Sequence, residues 1–149
     1  MSDVTDCVFC QIVEGMEPAS IVHADDVAMA IMTIGPVNTG HVMVIPMRHA
    51  AQLADLDEEI GMHLFRIAQR TAAAIRQSGL HCEGINFFLA DGEAAFQEVF
   101  HVHLHVFPRF KGDAFKIDAD WSARPGREEL DAVAARIRDA YAASWSDGR

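Results

Sequence analysis

Apolar and polar residues alternate in short runs over the first third of the chain and recur at helical spacing further on. Ser20 to His23 and Val27 to Ile34 are rich in valine, isoleucine and methionine and are parted by the turn-like Ala24-Asp25-Asp26. They read as paired antiparallel strands. His41 to Pro46 is the next strand, ended by its proline. Before them, Phe9 to Glu14 makes a short helical turn closed by Gly15, with Pro18 preventing continuation. Ile60, Leu64, Ile67, Thr71 and Ile75 recur at spacings of three and four, which predicts a long helix over Leu56 to Ser78. Asp55 is its expected cap, with Glu58 three residues on and Gly79 as the stop. Gly84 to Ala90 and Val102 to Pro108 read as two more strands, the second strictly alternating. Gly112 to Gly126 is irregular, and a last helix runs from about Arg127 to Ala143 with Leu130, Val133, Ile137 and Tyr141 as its buried stripe. Strands and helices are segregated rather than alternating, which favours an α+β fold with an antiparallel sheet.

The 149 residues argue for a single domain spanning 1–149, with a core over about 7–110 and a variable region over 111–149. Half the residues are apolar and 23% are charged, an ordinary globular composition. The longest apolar stretch, Val27 to Ile34, is broken by Thr33 and falls far short of the ~20 residues that a spanning helix needs. Twelve basic against twenty-two acidic side chains give a net charge of −10, so nucleic acid and anionic membrane are poor partners. A small anion remains admissible where local donors outweigh the screened global field. The opening MSDVTDCVFC shows no basic stretch followed by an apolar one, and the three cysteines are odd in number, so a cytoplasmic location is expected.

The chemistry concentrates in His101-Val102-His103-Leu104-His105-Val106-Phe107. Along a strand alternate side chains share a face, so three imidazoles spaced by roughly 6.7 Å point one way while Val102, Leu104 and Val106 point into the core. Such a row suits metal ligation, and it equally suits nucleophilic attack on phosphorus with flanking histidines holding phosphate oxygens and protonating the leaving group.

With Gln97 upstream and Pro108-Arg109 after it, this segment resembles the histidine triad (HIT) family motif. Cys7-Val8-Phe9-Cys10-Gln11-Ile12, Gly40 to His49, Gly84-Ile85-Asn86 and Asp91-Gly92 resemble further family segments in the same order. The resemblance implies a HIT-like fold, with a five-stranded antiparallel sheet, one long central helix and a C-terminal helix. It also implies a nucleotide phosphoryl-transfer enzyme acting at the α-phosphate of nucleoside 5′-phosphoramidates or dinucleoside polyphosphates, an AMP derivative being the expected small-molecule substrate. His103 would be the nucleophile, His105 would contact the α-phosphate and leaving group, and His41 would lie beside the row. Gln97 and the main chain around Phe96, Glu98 and Val99 would hold phosphate oxygens. Phe9, Ile12 and Ile31 would wall the base, and Asn86 and Thr33 fall on the nucleotide side. No metal is required at the reacting phosphate, and a homodimer packed through the long helix is implied. Phe96, Glu98, Ala90 and Thr33 depart from the family pattern, Phe96 standing where a glycine is common; these departures bear on substrate specificity and leave the triad intact.

Cys7-x-x-Cys10 alone admits redox chemistry, a zinc site with two further ligands, or two buried thiols. Zinc-bearing members of the HIT family pair such cysteines with residues matching His49 and His101, which implies a structural zinc ion held by Cys7, Cys10, His49 and His101. His101 would then support His103 rather than carry protons. Two rival functions stand beside the enzyme reading: a metal-dependent hydrolase using the histidine row as ligands, and a non-catalytic nucleotide-binding or scaffold protein.

Overall fold

The computed structural model describes residues 6–145 and divides into two compact units, one ending at Phe115 and the other starting at Lys116. The first unit holds helices α1 (Val8–Val13) and α2 (Glu58–Gln77) and strands β1 (Ile21–Ala24), β2 (Ala28–Met32), β3 (Val42–Pro46), β4 (Gly84–Phe88) and β5 (Leu104–Arg109). The strands form one antiparallel sheet in the order β1-β2-β3-β5-β4. The α+β class and the five-stranded antiparallel sheet are as the sequence implies.

Strand alternation divides the core in two. Ala28, Ala30, Val42, Val44, Val102, Leu104 and Val106 turn to one face and pack with Leu64, Ile67, Ala68 and Ile75 of α2. Met29, Ile31, Met43 and Ile45 turn to the other face and pack with Cys7, Phe9 and Cys10 at α1. Both faces of β2 and β3 are therefore covered, which explains their unbroken apolar runs. Ala28 and Ala30 have no exposed surface, and their small side chains let α2 lie close. Entry into β3 depends on Gly40, whose φ of +102° disfavours any side chain; a Cβ added there would meet Leu80 Cδ1 at 2.9 Å.

Several boundaries differ from the sequence reading. The long helix starts at Glu58 with Asp57 as N-cap, two residues beyond Asp55. Asp55 instead ends a 3₁₀ turn over Leu53–Asp55, where its carboxylate accepts from the Gln52 amide. β5 begins at Leu104 rather than Val102, because the Val102 amide donates to Ala50 O and the His101 carbonyl accepts from the His103 ring. Those backbone groups are spent outside the ladder, although Val102, Leu104 and Val106 still face the core. β4 ends at Phe88, two residues before Ala90.

In the second unit α3 spans Arg127–Trp145. Its stripe of Leu130, Val133, Ile137 and Tyr141 is 42–67% exposed, contrary to the burial expected. Among the described residues this unit has no other helix or strand to pack against that face. Among the described residues no helix is long and apolar enough to cross a membrane.

Candidate active site

Cross-strand register carries the site. Ile31 pairs with Met43, Met43 with His105, and His105 with Phe88, so one row crosses four strands on the face that α1 covers. A cleft of about 890 Å³ opens over this row, near the upper end of the ~300–1,000 Å³ usual for small-molecule sites. Phe9, Ile12 and Ile31 line one part of it, with Thr33, Phe96, Glu98, Val99, His103 and His105 also on its wall.

The imidazole tautomers follow from their bonding partners. His103 Nδ1 lies 2.8 Å from the carbonyl of His101, to which only an N–H can donate. That leaves Nε2 of His103 with its lone pair unprotonated, the state a nucleophile needs. Next to it, the Val37 amide donates to His41 Nδ1 at 3.0 Å. The proton of neutral His41 is then on Nε2, which donates to His105 Nδ1 at 2.8 Å. His105 in turn carries its proton on Nε2 and presents a donor. The His103 and His105 rings meet edge to face with centroids 4.9 Å apart. Burial pushes His41 and His105 down to about 4, with neighbouring His103 and His41 adding to the shift at His105. Burial also lowers His103, against the raising effect of its bond to His101. All three are therefore neutral at pH 7.

Phe9 packs edge-on against both His103 and His101, at 5.2 and 5.7 Å between centroids. His101 turns away from the cleft. Its Nε2–H donates to the carbonyl of Pro46 at 2.9 Å, so its Nδ1 lone pair is free to ligate. Nδ1 of His101 lies 3.4 Å from Cys7 Sγ, 3.5 Å from Cys10 Sγ and 3.3 Å from His49 Nδ1, and Cys10 Sγ is 3.2 Å from His49 Nδ1. The four donor atoms lie within 4.8 Å of one another. Tetrahedral zinc, with bonds of ~2.0–2.1 Å to nitrogen and ~2.3 Å to sulfur, spaces nitrogens about 3.4 Å apart and nitrogen from sulfur about 3.6 Å apart. The cluster fits a metal ion of that kind. Burial, then the Cys7 thiol, pushes Cys10 up to about 12, so a cation is needed to hold it as thiolate.

Gln97 is buried and acts on the loop. Its Oε1 accepts from the Gly92 amide, and its Nε2 donates to Ala51 O and Val99 O. The amides of Phe96 and Gln97 bond to Glu93 O and Gly92 O, whereas those of Glu98 and Val99 have no acceptor among the described residues. Phe96 has φ +69° and ψ +27°, the left-handed region, alone among the described non-glycine residues. That conformation explains why a glycine suits the position. Asn86 does not line the cleft; its Oδ1 accepts from Arg109, whose guanidinium is also held two-pronged by Asp113. Thr33 Oγ1 accepts from the Gly35 amide. Sequence reasoning did not single out Met43, Phe88 or Val37. The first two emerge only from strand register, and Val37 acts through its backbone amide.

Residues 14–112 match the HIT domain family. The chain belongs to the HIT family. That membership places it among nucleotide-binding hydrolases. It is 39% identical over 138 residues to an uncharacterised HIT-like protein of Mycobacterium tuberculosis, covering 91% of this chain and 93% of that one. It is 30% identical over 132 residues to the adenosine 5′-monophosphoramidase hnt1 of Schizosaccharomyces pombe, covering 88% and 95%. Among solved structures it resembles a zinc-bound histidine triad family protein from Mycobacterium smegmatis. The TM-score is 0.73 and the identity 41%, over 93% of this chain and 99% of that one.

Proposed function

We propose that this HIT protein hydrolyses nucleoside 5′-phosphoramidates at the α-phosphate through a nucleotidyl intermediate on His103. The observation that carries the proposal is the tautomer pattern: a free Nε2 lone pair on His103 beside an Nε2–H donor on His105. In the first half-reaction His103 Nε2 bonds to phosphorus and the P–N bond breaks. The amine leaves with the proton that the N-protonated phosphoramidate brings. Water then bonds to phosphorus, the P–Nε2 bond breaks, and a proton passes to solvent as the nucleotide departs. Throughout, the His105 Nε2–H and the unengaged amides of Glu98 and Val99 supply donors to the phosphate oxygens. A metal-dependent mechanism is disfavoured, since His105 offers a donor where a ligand needs a lone pair.

The S. pombe phosphoramidase relative supports the choice of substrate class. The donor set of Cys7, Cys10, His49 and His101 supports structural zinc remote from the reacting phosphate, as does the zinc-bound neighbour. A homodimer through α2 belongs to the same reading, with Met62 and Phe65, each more than half exposed, offering apolar surface on that helix.

Release of AMP from adenosine 5′-phosphoramidate by the wild type and by His103→Ala tests the proposal. Turnover that disappears with His103 supports it. Wild-type inactivity, or equal rates in the two proteins, removes it.

A further inference from the structure

The cross-sheet row puts His105 between two unlike surfaces. On one side lie Ile31 and Met43 under α1, and on the other lies Phe88, whose ring centroid is 6.1 Å from that of His105. If the base occupies the Phe9, Ile12 and Ile31 side, the leaving group, which departs away from His103, falls to the Phe88 side. Phe88 there is 43% exposed and Ala90 contributes only a methyl group, while Phe96, on the loop joining β4 to β5, lines the same cleft and stands 82% exposed.

Phe96 gains almost no burial from the fold, yet it holds a left-handed backbone that a side chain disfavours. An exposed phenyl in a strained conformation at the rim of a catalytic cleft points to a role outside folding. The charges of the cleft narrow the ligand. Among the described residues its wall contains two carboxylates, Glu17 and Glu98, and neither lysine nor arginine. Arg109, the cation nearest in sequence to the triad, is neutralised by Asp113. A polyphosphate leaving group would find no counter-charge there, whereas an amine carrying a ring would find two phenyls.

We propose that Phe96 and Phe88 form a leaving-group seat that makes this protein select nucleoside phosphoramidates of aromatic amines over those of small amines and over dinucleoside polyphosphates. The proposal rests on the phosphoramidase reading for its chemistry, but the seat itself is a binding property.

The test compares adenosine 5′-(N-benzyl)phosphoramidate with the N-methyl compound, two alkylamine leaving groups that differ in the ring. The wild type is expected to favour the benzyl compound by about five- to tenfold in kcat/KM, within the roughly two- to thirteenfold that one aromatic contact supplies. In Phe96→Gly, which suits the left-handed backbone, that ratio is expected to fall toward one. A ratio near one in the wild type, or one that survives Phe96→Gly, overturns the seat. Dissociation constants of both compounds are measured in parallel in His103→Ala and in His103→Ala/Phe96→Gly. If neither compound is turned over but benzyl binds more tightly in a Phe96-dependent way, the phosphoramidase reading fails and the seat stands. Turnover with no benzyl preference in rate or affinity upholds the phosphoramidase reading and overturns the seat. Absence of both turnover and preference removes the two together.

Discussion

His41 Nε2 donates to His105 Nδ1 across 2.8 Å, and the direction of that bond is set by the Val37 amide on the far side of the His41 ring. A main-chain N–H thus decides which nitrogen of His105 carries the proton. Without His41, the His105 ring is free to rotate or to adopt the other tautomer, and the phosphate donor that the proposed function assigns to it is lost. His41→Ala is expected to lower kcat for AMP release about 10²-fold, the lower range of a positioned donor's contribution. His41→Gln retains an N–H donor and is expected to recover part of that loss. Wild-type turnover in His41→Ala would show that His105 is oriented by other means.

The two adjacent members of the row are expected to separate cleanly. His101 aims its Nδ1 at Cys7, Cys10 and His49, whereas His103, its Nδ1 bonded to the His101 carbonyl, lines the cleft. His101→Ala is expected to lower bound zinc and thermal stability together, since a structural metal contributes directly to folding. His103→Ala is expected to keep its zinc while turnover falls by at least ~10³-fold, as for loss of a covalent nucleophile. Elemental analysis beside a melting curve distinguishes them, and zinc lost from His103→Ala would show that the roles are shared.

The alternation of His101, His103 and His105 with Val102, Leu104 and Val106 made their shared face legible, because a period of two fixes which residues share a face, whereas the division of roles within the row came from the family resemblance alone. The face survives even though the ladder starts only at Leu104. His101 and Val102 spend their backbone groups on a ring and on Ala50, which no residue pattern reveals. The cap of α2 was displaced because both Asp55 and Asp57 precede a run of glutamates, and the Leu53–Asp55 turn claims the first. The stripe of α3 shows the limit of helical periodicity, which identifies an apolar face without saying what covers it. Phe96 was recognisable as a departure from a glycine, but its left-handed backbone and its exposure belong to the folded loop alone.

Phe96→Gly is expected to make the protein more stable. A side chain in the left-handed region costs on the order of 1–2 kcal/mol, and the added flexibility of an unfolded glycine returns part of it. With 82% of Phe96 exposed, little packing is lost. The net gain is about 0.5–1 kcal/mol, or roughly 2–4 °C in Tm. A lower Tm in Phe96→Gly would mean that the phenyl packs against the loop in solution.

Acid is expected to destabilise the protein in two stages with distinct origins. Burial holds His41 and His105 at about 4 in the folded chain, against about 6.5 when unfolded. Between those values the unfolded chain binds the extra protons, so stability falls as pH drops from 7 toward 4 and is fully present only above the unfolded value. Asp25 acts lower. Although burial opposes it, bonds from His63, the Ala28 and Val27 amides and His23 hold its carboxyl well below the usual range. Its contribution is present above the unfolded value of about 3.9 and fades as pH falls further, through the depressed folded value. Melting curves taken at intervals from pH 7 to pH 3 should therefore decline continuously. His41→Gln should flatten the upper part of that decline, and Asp25→Asn the lower. A Tm constant between pH 7 and pH 5 in the wild type would show that the two imidazoles titrate normally and that the cleft admits more water than their burial implies.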